Sequence, residues 1–434
     1  MNFKKPIKLP VMIIAPLLLL ISCFQAPLEN NYVVNIENTE DFDLKNKPVL
    51  ISRSEFQGLD PELFPLLLSP NNDTIPVQVD DLDGDGSWDE LFFVFDIKAM
   101  SKEVLELKWS KNKIFFDPKV AVRFGVRASE EDIVRKSKAD IFYPNQLPGM
   151  TGYQPYQTDG PSWENDMVGF RHYLDGRNSK DVFGKKVRHL TPDNVGINDK
   201  GVTEDNYHVM EEWGRDILSV GNSVGIGGFG LKVNDQLHRI GVTQQDTINN
   251  VEKTHFNIIS DGPIRAITQY FYENWHPQLL ERSYNVYEKN FIWPGDHYYK
   301  VRLSFPDLVG DEQLVIGLVN SRTEKQLNLR EVGDFVVLFT HDLQTYEKEW
   351  YLGLGLILPK EDYEGFFLAP QTGSLSGTFL ARMNIKPEKI LDYYAVAAWE
   401  LSDESFRDEN HFENYMISLA RMLTAKPIVS VSQK

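Results

Sequence analysis

From residue 32 onward, apolar and polar positions alternate along most of the chain. Residues 32–36, 49–52, 75–79, 91–97, 104–109 and 120–126 are short apolar or alternating runs bounded by Pro, Asn, Asp and Gly. Successive side chains of a strand point to opposite faces, so such runs predict strands with one buried face, here a first β-sandwich. The β signal fades over 127–165, where Pro144, Pro155, Pro161 and several glycines predict a long loop of the kind that usually carries function. Longer alternating runs return at 264–275, 280–288 and 297–305, followed by 315–319, 335–340, 351–358, 378–383 and 393–399. They predict a large pair of antiparallel sheets. Only the tail, 404–423, has helical spacing, in Phe406, Phe412, Tyr415, Met416, Leu419 and Met422, with Ser402 or Asp403 as its cap.

The expected fold is therefore mainly β. An N-terminal β-sandwich part spans 32–130, and a catalytic part spans 131–434 as a large antiparallel supersandwich with a single C-terminal helix. Long strands with one late helix suggest the galactose-mutarotase-like supersandwich by analogy. A fold alone licenses no function.

The first 31 residues break the pattern. Lys4, Lys5 and Lys8 precede an apolar run at 11–21 that is short for a membrane span. Leu20-Ile21-Ser22-Cys23 then reads as a lipobox. The expectation is a lipoprotein signal peptide at 1–22, lipidation of Cys23 and a tether at 23–31. The protein would be lipid-anchored in a Gram-negative cell envelope, on the periplasmic or surface face of the outer membrane. Cys23 is also the one cysteine, so an internal disulfide, a zinc ribbon and an iron–sulfur site are excluded. Charge narrows the partners further. With 45 Lys+Arg against 63 Asp+Glu the net charge is −18, and no basic block offsets it. Nucleic-acid affinity comes mostly from Lys and Arg on phosphates, so nucleic acid is not an expected partner.

Two stretches carry candidate chemistry. In the first, Asp81, Asp83 and Asp85 are spaced as D-x-D-x-D-G, which suits a hard cation that takes six or more oxygens. Phe92 stands where a calcium-binding helix–loop–helix would need Glu, and the flanks read as strands. Asp89 or Glu90 can complete a structural calcium site; otherwise the segment is an Asp/Gly-rich hairpin turn. The second stretch is a polar block over 160–216. Regular alternation there puts Arg171, Tyr173 and Asp175 on one face, and His172 on the other with Glu164 and Asp166. A cation, a phenol and a carboxylate in register suggest a polar cleft, because burying them unpaired is costly. His208, Glu211, Trp213 and Arg215 follow, an aromatic ring among hydrogen-bonding groups of the kind sugar sites use. The glycine-rich stretch 221–230 lacks the spacing of a dinucleotide fingerprint and reads as turns and close backbone packing. His255, His276 and His297 fall on β segments with no assignable role.

The stretches 163–186 and 207–230, with the acidic loop 79–91, resemble the signature regions of a family of bacterial envelope lipoproteins long labelled a domain of unknown function. The resemblance covers essentially the whole mature chain. It implies a place beside polysaccharide lyases and unsaturated-uronyl hydrolases in clusters that degrade acidic polysaccharides. For one branch, linked with the sulfated algal polymer ulvan, it implies an oligosaccharide dehydratase. Such an enzyme removes water across C4–C5 of a non-reducing-end glucuronic acid and leaves a 4,5-unsaturated uronyl end. The partner would be an acidic, uronate-containing oligosaccharide, and catalysis would need no cofactor. Elimination requires a cation or hydrogen bonds for the carboxylate, a base for H5 and an acid for the departing oxygen. Arg171 or Arg215 suits the first, His208 and Tyr173 the other two, and Asp175 would orient Arg171. Glu164, Asp166, Glu211 and Trp213 complete the expected substrate contacts. Two alternatives stand beside this. A glycoside hydrolase would pair Glu164 with Asp166 or Glu211, and a non-catalytic glycan-binding lipoprotein would need only Trp163, Trp213 and polar partners.

Overall fold

The computed structural model describes residues 31–147, 153–243 and 249–434. The expected signal peptide, the expected lipidation of Cys23 and the expected tether up to residue 30 lie outside the described residues. Strands dominate, and the first β-sandwich is present. Its five-stranded sheet runs Ile428–Gln433, Asn31–Asn38, Ser101–Ser110, Phe64–Leu68, Thr74–Ile75. Its three-stranded sheet runs Leu44–Ser52, Glu90–Ile97, Val77–Asp80. Alternation decides the faces: Tyr32, Val34 and Ile36 are buried, and the residues between them are half-buried.

The chain leaves the sandwich after Ser110 and returns to it at Ile428–Gln433, while Val120–Arg123 pairs with Ser162–Asn165 in another sheet. Val120 and Val122 bury into the core of the larger part. Periodicity reports which face is buried and is silent on which sheet a strand joins. The chain also closes on itself, because Ile428–Gln433 pairs antiparallel with Asn31–Asn38.

The larger part is built on a nine-stranded antiparallel sheet. Its order is Ala139–Phe142, Val251–Asp261, Ala266–Trp275, Tyr284–Ile292, Tyr298–Ser304, Leu391–Trp399, Tyr351–Pro359, Phe335–Leu343, Asn328–Val332. One face, with Tyr270, Tyr272, Tyr299, Leu354 and Tyr393, shares a core with two five-stranded sheets. The other face, with Ile267, Phe339, Ile357 and Val396, shares a core with the N-terminal sandwich and the helix. Its strands Phe335–Leu343 and Tyr351–Pro359 are covered on both sides and read as nearly continuous apolar runs, whereas Val251–Asp261 and Tyr298–Ser304 alternate. The segment 127–165 is less loop-like than expected, since it contributes the strands Arg135–Lys136, Ala139–Phe142 and Ser162–Asn165. The glycine-rich stretch at 221–230 runs into the strand Ile226–Val233, where Gly228 packs directly on Val224.

The one α-helix among the described residues is Glu409–Thr424. It starts a turn later than the spacing predicts. Asp403 caps a 3-10 turn, Glu404–Arg407, and the carboxylate of Asp408 accepts from the His411 N–H at 2.8 Å to cap the helix itself. The helix lies against Gly353 and Gly355, where a Cβ would collide with Phe412 and Met416.

Candidate functional site

The polar block folds into one sheet: Val120–Arg123, Ser162–Asn165, Gly169–His172, Lys180–Lys185, Gly214–Asp216. Its inner face meets the nine-stranded sheet. There His172 stacks on Tyr270 at 4.4 Å, and Lys180 pairs with Glu288 at 2.9 Å. Burial lowers His172 to about 4, so it is neutral. Its place on the face opposite Arg171 is the one alternation predicts.

The outer face carries the chemistry. Arg171 stands directly across from Asp181 on the next strand. Its guanidinium is wholly buried. Nε donates to Asp181 Oδ1 at 3.1 Å and Nη1 to the Thr158 carbonyl at 3.2 Å. Nη2 donates to Asp216 Oδ2 at 2.7 Å and also reaches Asp181 Oδ2 and the Tyr173 hydroxyl. Burial works against the charge, but the Asp181 carboxylate outweighs it and holds the guanidinium well above its ordinary value. Wholly buried and enclosed in this way, Arg171 does not reach a substrate carboxylate. That expected role is corrected: Arg171 positions Tyr173 and Asp216.

Tyr173 packs its ring between two cations, Arg171 at 4.1 Å and Arg177 at 4.2 Å. Its hydroxyl accepts from Arg171, which has no lone pair to accept in return, so the phenolic proton points elsewhere. Burial raises Tyr173 well above its ordinary value and keeps that proton on. Asp175 does not orient Arg171. The strand stops at His172, and the turn that follows aims Asp175 at Arg177, whose Nε lies 2.7 Å away.

His208 Nε2 lies 2.9 Å from Asp205 Oδ1, and Nδ1 lies 3.5 Å from Asp216 Oδ2. Its side chain keeps 35% exposure, which leaves it open to solvent at the lip of the site. The Asp205 hydrogen bond, helped by Asp216, raises His208 above its ordinary value. Asp216 is itself pushed up to about 7 by burial and then by the neighbouring Asp181 charge. The three residues expected to be catalytic are therefore brought together, joined in the order Tyr173, Arg171, Asp216, His208. Asp181, Asp205 and Asp216 were missing from the sequence reading. Their roles depend on strand register and loop return, which spacing does not encode.

The expected substrate-binding set does not converge there. Glu164 is buried, and its carboxylate meets Arg123, Lys185 at 2.5 Å and the Thr191 Oγ1 at 2.8 Å. Burial works against its charge, but Arg123 and Lys185 hold it below the usual carboxylate range. This is an internal ion network, so the expected sugar contact is corrected. Asp166 accepts from the Gly295 N–H at 2.8 Å. Trp213 is buried beside Phe183 and Tyr207 and, with Tyr207 and exposed Glu211, lines a cavity of about 230 Å³. Arg215 is engaged by Glu349 at 2.9 Å and lies over Trp350. In the acidic turn, Asp81, Asp83 and Asp89 each bring one carboxylate oxygen within 4.8 Å of the others. Asp85 instead accepts from the Ser87 N–H at 2.7 Å. Gly84 and Gly86 supply the positive φ that lets Asp81 accept from both of their N–H groups.

Residues 36–429 match the family described as "Domain of unknown function (DUF4861)". A relative from Formosa agariphila, "Uncharacterized protein P7", is 23% identical over 442 residues, covering 96% of this chain and 98% of the relative. Among solved structures, a glycosyl hydrolase family 38 protein from Enterococcus faecalis aligns with 93% of this chain at a TM-score of 0.49 and 10% identity. An alpha-mannosidase from Enterococcus faecalis V583 aligns with 93% at 0.47 and 10%. The chain spans 48% and 46% of those two proteins, about half their length.

Proposed function

The chain belongs to the family described as Domain of unknown function (DUF4861), and from that premise we propose that it is an elimination enzyme of acidic-polysaccharide breakdown. The reaction is dehydration of a non-reducing-end glucuronic acid, as in ulvan oligosaccharides, to a 4,5-unsaturated uronyl end. The observation that carries this reading is the chain Tyr173–Arg171–Asp216–His208. It holds a protonated phenol and a half-exposed imidazole on one rigid, buried guanidinium. His208 in its neutral form takes H5. Tyr173 gives its proton to the departing 4-hydroxyl, which is otherwise a poor leaving group. Arg171 and Asp216 touch the two reacting side chains and not the substrate, so they are positioning residues.

The hydrolase alternative has less support. It needs two carboxylates facing each other across a cleft, about 5–10 Å apart. Of those weighed for it, Glu164 is locked in an internal ion network and Glu211 is exposed, so the two do not face each other across a cleft. The same reading keeps Cys23 as a lipid anchor to the envelope membrane. It also gives the acidic turn a structural calcium, held by Asp81, Asp83 and Asp89 within the N-terminal sandwich. Mass spectrometry of products from glucuronate-ended oligosaccharides tests the reaction. The expected product is one water lighter, keeps its chain length and absorbs in the ultraviolet as a conjugated uronate does. A shortened product overturns the reading.

A further inference from the structure

Elimination needs a cation or hydrogen bonds at the substrate carboxylate, and Arg171 does not reach it. Arg177 and Arg215 are committed as well, to Asp175 and Glu349. Arg322 differs. It is half-buried, and among the described residues it makes no ion pair within 4.0 Å. Its guanidinium lies over the ring of Tyr346 at 5.7 Å, and Tyr346 packs on His208 at 5.4 Å.

The position is built. Tyr346 is 38% exposed, yet the residues around it are tied down. The buried Thr345 hydroxyl donates to Glu349 Oε2 at 2.7 Å, and Arg215 bridges Glu349 back to the strand that ends at Asp216. On the other side, Thr323 donates to Asp342 at 2.7 Å, and Ser321 donates to the Ser219 carbonyl at 3.1 Å. Two loops are thus clamped around Tyr346, whose half-exposed ring links a cation without an ion pair to His208. A guanidinium presents paired donors that match a carboxylate, and a tyrosine ring suits the apolar face of a sugar.

We propose that Arg322, supported by Tyr346, binds the carboxylate of the terminal uronate and neutralises it while His208 takes the adjacent proton. The proposal rests on the elimination reading for its chemistry but predicts binding independently of turnover. The test uses a glucuronate-ended oligosaccharide and its carboxyl-reduced, glucose-ended counterpart, with affinity measured by titration calorimetry and product by mass. A charge-assisted hydrogen bond contributes about 1.5–3 kcal/mol, so Arg322→Met should weaken binding of the acidic ligand roughly 10–150-fold. Binding of the neutral ligand should not change, and Arg322→Lys should recover part of the loss. Unchanged affinity of Arg322→Met for the acidic ligand, or equal loss for both ligands, overturns the assignment. If wild type binds selectively and Arg322→Met loses that selectivity while no product forms, the elimination chemistry fails and the carboxylate site stands. If product forms at the wild-type rate in Arg322→Met, the reverse holds.

Discussion

Tyr173 and His208 each meet Arg171 or its partner Asp216, yet their surroundings bias them to different protonation states. The phenol is desolvated and stays neutral, and the imidazole sits between two carboxylates that favour its cation. Tyr173→Phe keeps the ring between Arg171 and Arg177 and removes only the hydroxyl. His208→Gln removes the base. Removing a positioned acid or base costs roughly 10²–10⁴-fold, so each variant should lose that in kcat while unfolding like wild type; near wild-type rates take the residue out of the mechanism. The pH profile follows from the same contacts. His208 works when neutral, so kcat should rise with pH, and because Asp205 and Asp216 raise His208 the rise should lie above the ordinary histidine value of 6.5. Asp205→Asn removes the hydrogen bond that raises His208 most and should move the rise to lower pH, with Asp216, Asp181 and Arg171 still behind it. A profile that does not move would show that another group titrates. Glu164 gives a stability prediction instead. Its folded value lies below the ordinary 4.5, so the stability it adds is present above that pH and is lost as pH falls through the folded value. Breaking a buried pair costs about 3–5 kcal/mol, so Glu164→Gln should unfold at lower urea at pH 7, with the gap to wild type closing in acid.

Between elements, packing is set by what a strand can present without a side chain. Gly353 and Gly355 leave room on the nine-stranded sheet for Phe412 and Met416 of the helix Glu409–Thr424. Gly355→Ala would push a methyl into that seam, and overpacking of this kind costs about 1–3 kcal/mol; a measured gain in stability would mean the helix can shift. The acidic turn gives a second test at this scale. With calcium held by Asp81, Asp83 and Asp89, a chelator should lower the melting temperature and leave low-temperature turnover intact. An immediate loss of activity at unchanged melting would sink the structural role. These elements also show how far the sequence could be read. Two-residue alternation placed most strands of the sandwich and of the nine-stranded sheet, because each buries a definite face. It put Arg171 beside Tyr173 and His172 behind them for the same reason. It could not supply Asp181, which faces Arg171 only through strand pairing, or Asp216, which arrives 45 residues later to bridge Arg171 and His208. It also placed Asp175 wrongly, since regular alternation was extended past His172 into a turn. Glu164 was assigned to the cleft because a carboxylate beside Trp163 looks alike in sequence whether it meets sugar or an internal lysine.

At the scale of the whole molecule, the chain's ends meet in one sheet: Tyr32 stands opposite Gln433 and Glu37 opposite Ile428. The first described strand begins at Asn31, where the described residues start. No helix among the described residues is long and apolar enough to cross a membrane. On the proposed reading, attachment through acyl chains on Cys23 is separable from folding and catalysis, and this can be tested directly. Stable anchoring takes more than a single acyl chain, which a diacylated and N-acylated cysteine provides. Cys23→Ala in the full chain should abolish incorporation of labelled fatty acid and release the protein from the membrane fraction. A variant that starts at residue 31 should be recovered without detergent and should match wild type in melting temperature, kcat and product mass. Label that persists on Cys23→Ala would disprove the anchor. A low melting temperature in the shortened variant would show instead that the leading segment packs on the sheet where the two ends pair, and that the anchor and the fold are one structure.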